Sequence, residues 1–106
     1  MKRVVITGMG INSCIGNSLE EVTHSLKNGI SGTRLNPTYA ELNFKSHVSA
    51  AAEQDFDGID RKLKRFMGVC AMYAYNAAVA AVEHAGLKQE DLANNPRYGI
   101  AGGSGG

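Results

Sequence analysis

The 106-residue sequence has no tryptophan, only two prolines, and only two cysteines. Cys14 and Cys70 lie 56 positions apart, which makes neither a CxxC pair nor a disulfide framework, so a reducing cytoplasmic setting is expected. Charge of one sign is missing as well. Eleven basic residues stand against ten acidic, a formal net charge of +1, which supplies no field for gripping nucleic acid along a whole surface. Long apolar runs are absent too. The longest uncharged stretch, Phe66 to Val82, is 17 residues of mostly alanine interrupted by Tyr73, Tyr75 and Asn76, too short and too weakly apolar for a membrane span. The N-terminus starts basic but enters a short β-branched stretch broken by Gly8 and Gly10, which is no secretory signal. A chain of this length holds one modest core.

What is present alternates between strand and helix signals. Val4 to Thr7 are consecutive strand formers stopped by Gly8, the pattern of a strand buried on both faces. Ser18, with Glu21 three residues on, forms a capping box for a helix from about Leu19 to Asn28, stopped by Gly29, with Leu19, Val22 and Leu26 on its buried stripe. From Ile30 to Gly58 loop residues dominate, with a short strand at His47 to Ala51. Asp60 then caps a helix that the three- and four-residue apolar spacing carries to Ala85, where Gly86 ends it; at 1.5 Å per residue it spans roughly 36 Å. Its middle is apolar nearly all round, and this chain has little to cover both sides, so further polypeptide is expected against it. Lys88 to Asn95 reads as a helical turn and Tyr98 to Ala101 as a second strand. The order strand, helix, irregular arm, helix, strand implies an α/β layered fold with a largely parallel sheet. Five of the 13 glycines fall in the last eight residues, so the chain is expected to stop inside a loop.

Thr7 to Gly16 invites a dinucleotide-binding reading, because a strand leads into GxG. That motif needs a third glycine where Ser13 stands, a helix starting at once rather than near Leu19, and an acidic residue about twenty positions on, where residues 27 to 40 have none. Structural glycines are the simpler reading. The histidines His24, His47 and His84 have no partner at metal-ligand or triad spacing, and His84 suits a charged cap on a helix C-terminus. Cys70 falls on the apolar helix face as a small buried hydrophobe; Cys14 lies in the glycine loop with nothing nearby in sequence to activate it. No catalytic residue, metal ligand or cofactor site is assigned.

The informative cluster is Arg61-Lys62-Leu63-Lys64-Arg65, four cations in five residues, with seven basic and ten acidic residues in the rest of the chain. They open a helix, where the dipole favours anions by about 0.3–1 kcal/mol, so helix stability does not explain them. A solvated helix end is the plain reading. The functional one is a docking patch for an acidic protein or a phosphate, with Arg61 and Arg65 suited to bidentate contacts.

MKRVVITGMGINSCIGNSLEEV, then SGTR, then IDRKLKRFM before an alanine-rich helix, then NNPRYGIAGGSGG, together resemble the N-terminal part of the β-ketoacyl-acyl carrier protein synthases, most closely those of type I. The resemblance extends over the whole chain but over only the first part of a family member. It implies a partial thiolase-like fold, an acyltransferase that condenses acyl and malonyl groups held on acyl carrier protein, and a cytoplasmic homodimer without metal or organic cofactor. It also implies that the nucleophilic cysteine, the histidine pair and the oxyanion-binding backbone lie outside residues 1–106. The matching basic residues Arg61, Lys62 and Arg65, with Lys64 less demanded by the pattern, resemble the patch that docks acidic acyl carrier protein. Two alternatives stay open: a free-standing, non-catalytic carrier-binding module and a small nucleotide-binding half-domain.

Overall fold

A computed structural model describes residues 1–93 and 95–105. Asn94 of the NNPR motif and the last glycine of the terminal GGSGG lie outside the described residues. The chain divides into two compact units, one formed by Ile11–Asp55 and the other by Met1–Gly10 together with the residues from Phe56 onward.

In the first unit, Ser13 and Gly16 exchange backbone hydrogen bonds across a tight turn, N–H to O distances being 3.0 and 3.4 Å. Helix α1 follows at Leu19–Lys27. Ser18 caps it by accepting from the Glu21 N–H at 3.1 Å, while the Glu21 carboxylate reaches back one residue further than a standard capping box, to the Asn17 N–H at 2.8 Å. Gly29, at φ +61°, ends the helix in the left-handed region that glycine enters without penalty. Leu19 and Val22 are half-buried as expected, but the stripe continues through Ser25 rather than Leu26, which is 70% exposed. The Ser25 hydroxyl donates to the Ile15 carbonyl at 2.7 Å, which ties α1 to the turn before it and lets a polar group lie on the buried side.

Strand β1 (Arg34–Leu35), helix α2 (Pro37–Glu41) and strand β2 (Val48–Ser49) occupy the arm expected to be mostly loop. The strands pair antiparallel, Arg34 opposite Ser49 and Leu35 opposite Val48. Asn36 starts α2 by accepting from the Thr38 N–H at 3.1 Å, and Pro37 takes the first helical position, where its missing N–H is harmless. Tyr39 and Phe44 meet edge to face at 5.2 Å.

The second unit corrects two expectations. The single long helix from Asp60 to Ala85 is instead α3 (Arg61–Lys64) and α4 (Val69–His84), separated by residues 65–68. The break falls at Gly68, the N-cap of α4. It sits extended at φ −73°, ψ 165°, with its carbonyl starting α4 by accepting from the Met72 N–H at 3.1 Å. Gly86 ends α4 at φ +68°, and α5 (Gln89–Leu92) is the short turn expected there. The strands expected at Val4 to Thr7 and Tyr98 to Ala101 do not form. The one ladder among the described residues is β1–β2, and Val4, Ile6 and Ile100 are 94, 82 and 101% exposed. A strand exists only through its neighbour's N–H and C=O groups, and no described residue offers these segments one.

Ile59 is the buried apolar residue of this unit, close in sequence to Phe56, whose ring meets Tyr73 edge to face at 5.0 Å. No residue of α4 is fully buried, and Cys70, expected inside, is exposed. No helix among the described residues is long and apolar enough to cross a membrane.

Candidate docking surface

The basic cluster is built on a single capped turn. Asp60 accepts from the N–H groups of Lys62 at 2.7 Å and Leu63 at 3.4 Å, so the carboxylate holds the start of α3 and fixes the order in which the cations emerge. The turn continues past Lys64: Arg65 is still right-handed helical, and the Phe66 N–H donates to the Leu63 carbonyl at 2.9 Å. Arg61 and Arg65 therefore lie one helical turn apart, with Lys62 beside them.

The four cations are not equivalent. Lys64 is turned inward: its Nζ donates to the Phe56 carbonyl at 3.2 Å and lies 3.7 Å from the Asp57 carboxylate. That cation braces the segment before α3 instead of facing a partner. Arg61, Lys62 and Arg65 are exposed, and none has a side-chain hydrogen bond or ion pair among the described residues. An α-helical turn that leaves three cations unpaired offers donors to an incoming anion without first breaking an internal bond.

The glycine motif has a different job. A Cβ on Gly8 would meet Ala85 Cβ and N at 2.7 Å, and would lie closer still to the Ala81 carbonyl oxygen. One on Gly10 would meet Ala81 N at 2.7 Å and overlap the Ala77 carbonyl oxygen. Residues 8–10 thus lie directly on the Ala77, Ala81, Ala85 stripe of α4, and the Met9 N–H donates to His84 Nδ1 at 3.0 Å. The close approach to α4 gives both glycines a packing role of their own, with no ligand needed to explain them. His84 stands in the last turn of α4, where the sequence puts it, and its Nδ1 takes up the Met9 N–H.

Elsewhere the chemistry-bearing residues stay apart. Cys14 packs against Gly32, where a Cβ would meet its Sγ at 2.6 Å. It lines a cavity of about 770 Å3 that also includes Glu21, His24, Arg34 and Glu53, but Arg34 is held by Glu53 at 3.1 Å and the His24 ring lies against Asn28. No hydrogen bond joins Cys14 to His24 among the described residues. Among them there is also no group of three or more His, Cys, Asp or Glu side chains that could hold a metal ion.

The family model described as Beta-ketoacyl synthase, N-terminal domain, matches residues 1–106. The chain belongs to the β-ketoacyl synthase family. It is 48% identical over 106 residues to 3-oxoacyl-[acyl-carrier-protein] synthase 1 of Haemophilus influenzae, covering 99% of this chain and 26% of that one. To the protein of the same name in Escherichia coli K12 it is 45% identical over 107 residues, covering 100% and 26%. A crystal structure of a β-ketoacyl synthase from Burkholderia phymatum superimposes with a TM-score of 0.67 at 35% identity, over 86% of this chain and 23% of that one. The chain therefore spans about a quarter of the length of the curated relatives it matches, and corresponds to the N-terminal part of a β-ketoacyl synthase fold.

Proposed function

We propose that this chain is the N-terminal part of a 3-oxoacyl-[acyl-carrier-protein] synthase, an acyltransferase that elongates fatty acids by decarboxylative Claisen condensation. The observation that carries the reading is the family match over every residue, joined to relatives of that name at 45–48% identity. In the complete enzyme an acyl group passes from the carrier's thiol to an enzyme cysteine. Malonyl-carrier protein then loses carbon dioxide, and the resulting carbanion attacks the acyl thioester to expel the cysteine thiolate. None of those catalytic groups is assigned to residues 1–106, whose part is recognition and framework. Val4 to Thr7 and Tyr98 to Ala101 join a mostly parallel sheet when the remaining polypeptide supplies their neighbours. The working form is a cytoplasmic homodimer.

Arg61, Lys62 and Arg65 dock the acidic acyl carrier protein, and Lys64 supports them from behind. Support comes from their lack of internal partners, against the two contacts that hold Lys64. Exposed charges of this kind act mainly on association rate and salt dependence. The test is charge reversal of Lys62 and Arg65 to Glu in a full-length synthase carrying this segment, with carrier binding measured across salt concentrations. Affinity should fall at low salt and its salt dependence should flatten. Unchanged affinity at low salt overturns the assignment.

A further inference from the structure

Met9 donates its backbone N–H to His84 Nδ1 at 3.0 Å, and a backbone N–H has no role other than donor. The nitrogen that receives it therefore carries no proton. His84 also stands in the last turn of α4, where the helix dipole favours a cation. One ring thus has two uses that exclude each other. Neutral, it accepts from Met9; charged, it carries a proton on Nδ1 as well as on Nε2, and two donors face each other across the same 3.0 Å. The segment on the other side of the bond has little freedom to adapt. Gly8 and Gly10 lie against Ala77, Ala81 and Ala85 with no room for a methyl group, so re-aiming the N–H of Met9 means lifting both glycines off the helix. That N–H is engaged by the histidine whatever pairs with Val4 to Thr7.

We propose that His84 is a proton-operated latch between the N-terminal segment and α4, closed while the ring is neutral and opened when Nδ1 takes a proton. Residues 8–10 bring no titratable side chain to the ring, and Lys2 and Arg3 stand at the far end of their segment. On the helix side the charged neighbours in sequence are Glu83 and, past Gly86, Lys88, Glu90 and Asp91. None of these forms an ion pair with His84 among the described residues, so the bond to Met9 is the contact that the proton acts on. When the latch opens, the charged ring turns to the carbonyls that end α4, and residues 8–10 lose the hydrogen bond that ties them to the helix. The open form binds the extra proton, so the bond is present at higher pH and is lost as pH falls and the ring charges. Arg61, Lys62 and Arg65 take no part, which makes the latch independent of carrier docking.

The experiment measures hydrogen exchange at the Met9 amide in a full-length synthase carrying this segment, with rates divided by the intrinsic exchange rate at each pH. The two conditions are about pH 8 and about pH 5.5, on either side of the range in which imidazole ordinarily titrates. In wild type, Met9 protection should fall about tenfold at the lower pH, the worth of one hydrogen bond, while the amides of α4 keep theirs. His84→Asn offers a side-chain oxygen that takes no proton and should keep Met9 protected at both. His84→Phe keeps a ring without an acceptor and should leave Met9 equally unprotected at both. Melting temperatures are recorded alongside, and the wild-type comparison of Met9 with α4 carries the test where a variant does not fold. Equal Met9 protection in wild type at the two pH values overturns the latch. A fall of the same size in His84→Asn, or one shared by all of α4, overturns it as well, because the proton then acts elsewhere.

Discussion

Replacing Gly10 by alanine tests the packing of the N-terminal segment most directly. The new methyl would stand 2.7 Å from Ala81 N and 3.0 Å from the Ala77 carbonyl carbon, where ordinary contact begins at 3.4 Å. Both are backbone atoms of α4, held by the helix's own hydrogen bonds, so the segment rather than the helix must give way. Restoring contact distance moves residues 8–10 outward by at least the difference between 2.7 and 3.4 Å, and the 3.0 Å Met9–His84 bond then stretches beyond hydrogen-bond range. Overpacking of this kind costs about 1–3 kcal/mol. The lost hydrogen bond adds about 1 kcal/mol. In a full-length synthase, about four times this chain's length, the sum of about 2–4 kcal/mol corresponds to a melting temperature lower by about 2–5 °C, at about 2.1 cal/mol/K of unfolding entropy per residue. Gly58→Ala is the control: nothing lies within 4 Å of its Cβ position, and its φ is one that alanine adopts. That variant should melt within about 1 °C of wild type or slightly above, since alanine narrows the unfolded ensemble. Hydrogen exchange adds a local readout, because the Met9 amide should lose protection in Gly10→Ala alone. Equal melts for the two variants, with Met9 protection unchanged, would refute the close approach.

Asp60→Ala removes the cap from α3 and should destabilise the turn by about 1 kcal/mol; because the same turn presents Arg61, Lys62 and Arg65, carrier binding should weaken although no cation has been touched. Retained affinity in that variant, measured by the same titration, would show that the cations need no preformed turn. Ser25→Ala leaves the Ile15 carbonyl without its donor and should cost about 1–2 kcal/mol in urea unfolding. Cys14→Ser and Cys70→Ser, made in a full-length synthase, should leave the condensation rate unchanged, since neither sulfur is hydrogen-bonded to a histidine among the described residues; a loss beyond about tenfold in either would place chemistry in this segment.

Features that depend on a few adjacent residues are legible in the amino-acid sequence alone. Ser18 with Glu21, Asp60, Gly29 and Gly86 mark helix ends because a cap or a left-handed glycine acts within one turn, and each acts there. Helix α2 carries a signal of the same local kind, Asn36 followed by Pro37, that the loop-like composition around it conceals. The break at Gly68 is harder to read. Apolar spacing runs unbroken from Leu63 to Ala85, and periodicity says which residues share a face without saying whether the backbone between them stays helical. The expected strands are absent for a different reason. Val4 to Thr7 has the composition of a buried strand, but composition specifies what a segment wants and not what is there to pair with it.

The same distinction orders the two candidate sites. In sequence, Gly8 and Gly10 read as structural because a nucleotide motif is incomplete, which is an argument from what is missing. Their positive role appears only when Ala77, Ala81 and Ala85 are seen under them: small residues four apart on a helix and two apart on an extended segment let the two backbones touch. The docking patch is the reverse case. Four cations in five residues are visible at once, yet the sequence treats Lys64 like its neighbours. The lysine differs because Phe56 and Asp57, seven or eight positions earlier, fold back to meet it. With Lys64 turned inward, the outward set becomes Arg61, Lys62 and Arg65, three charges on a single capped turn.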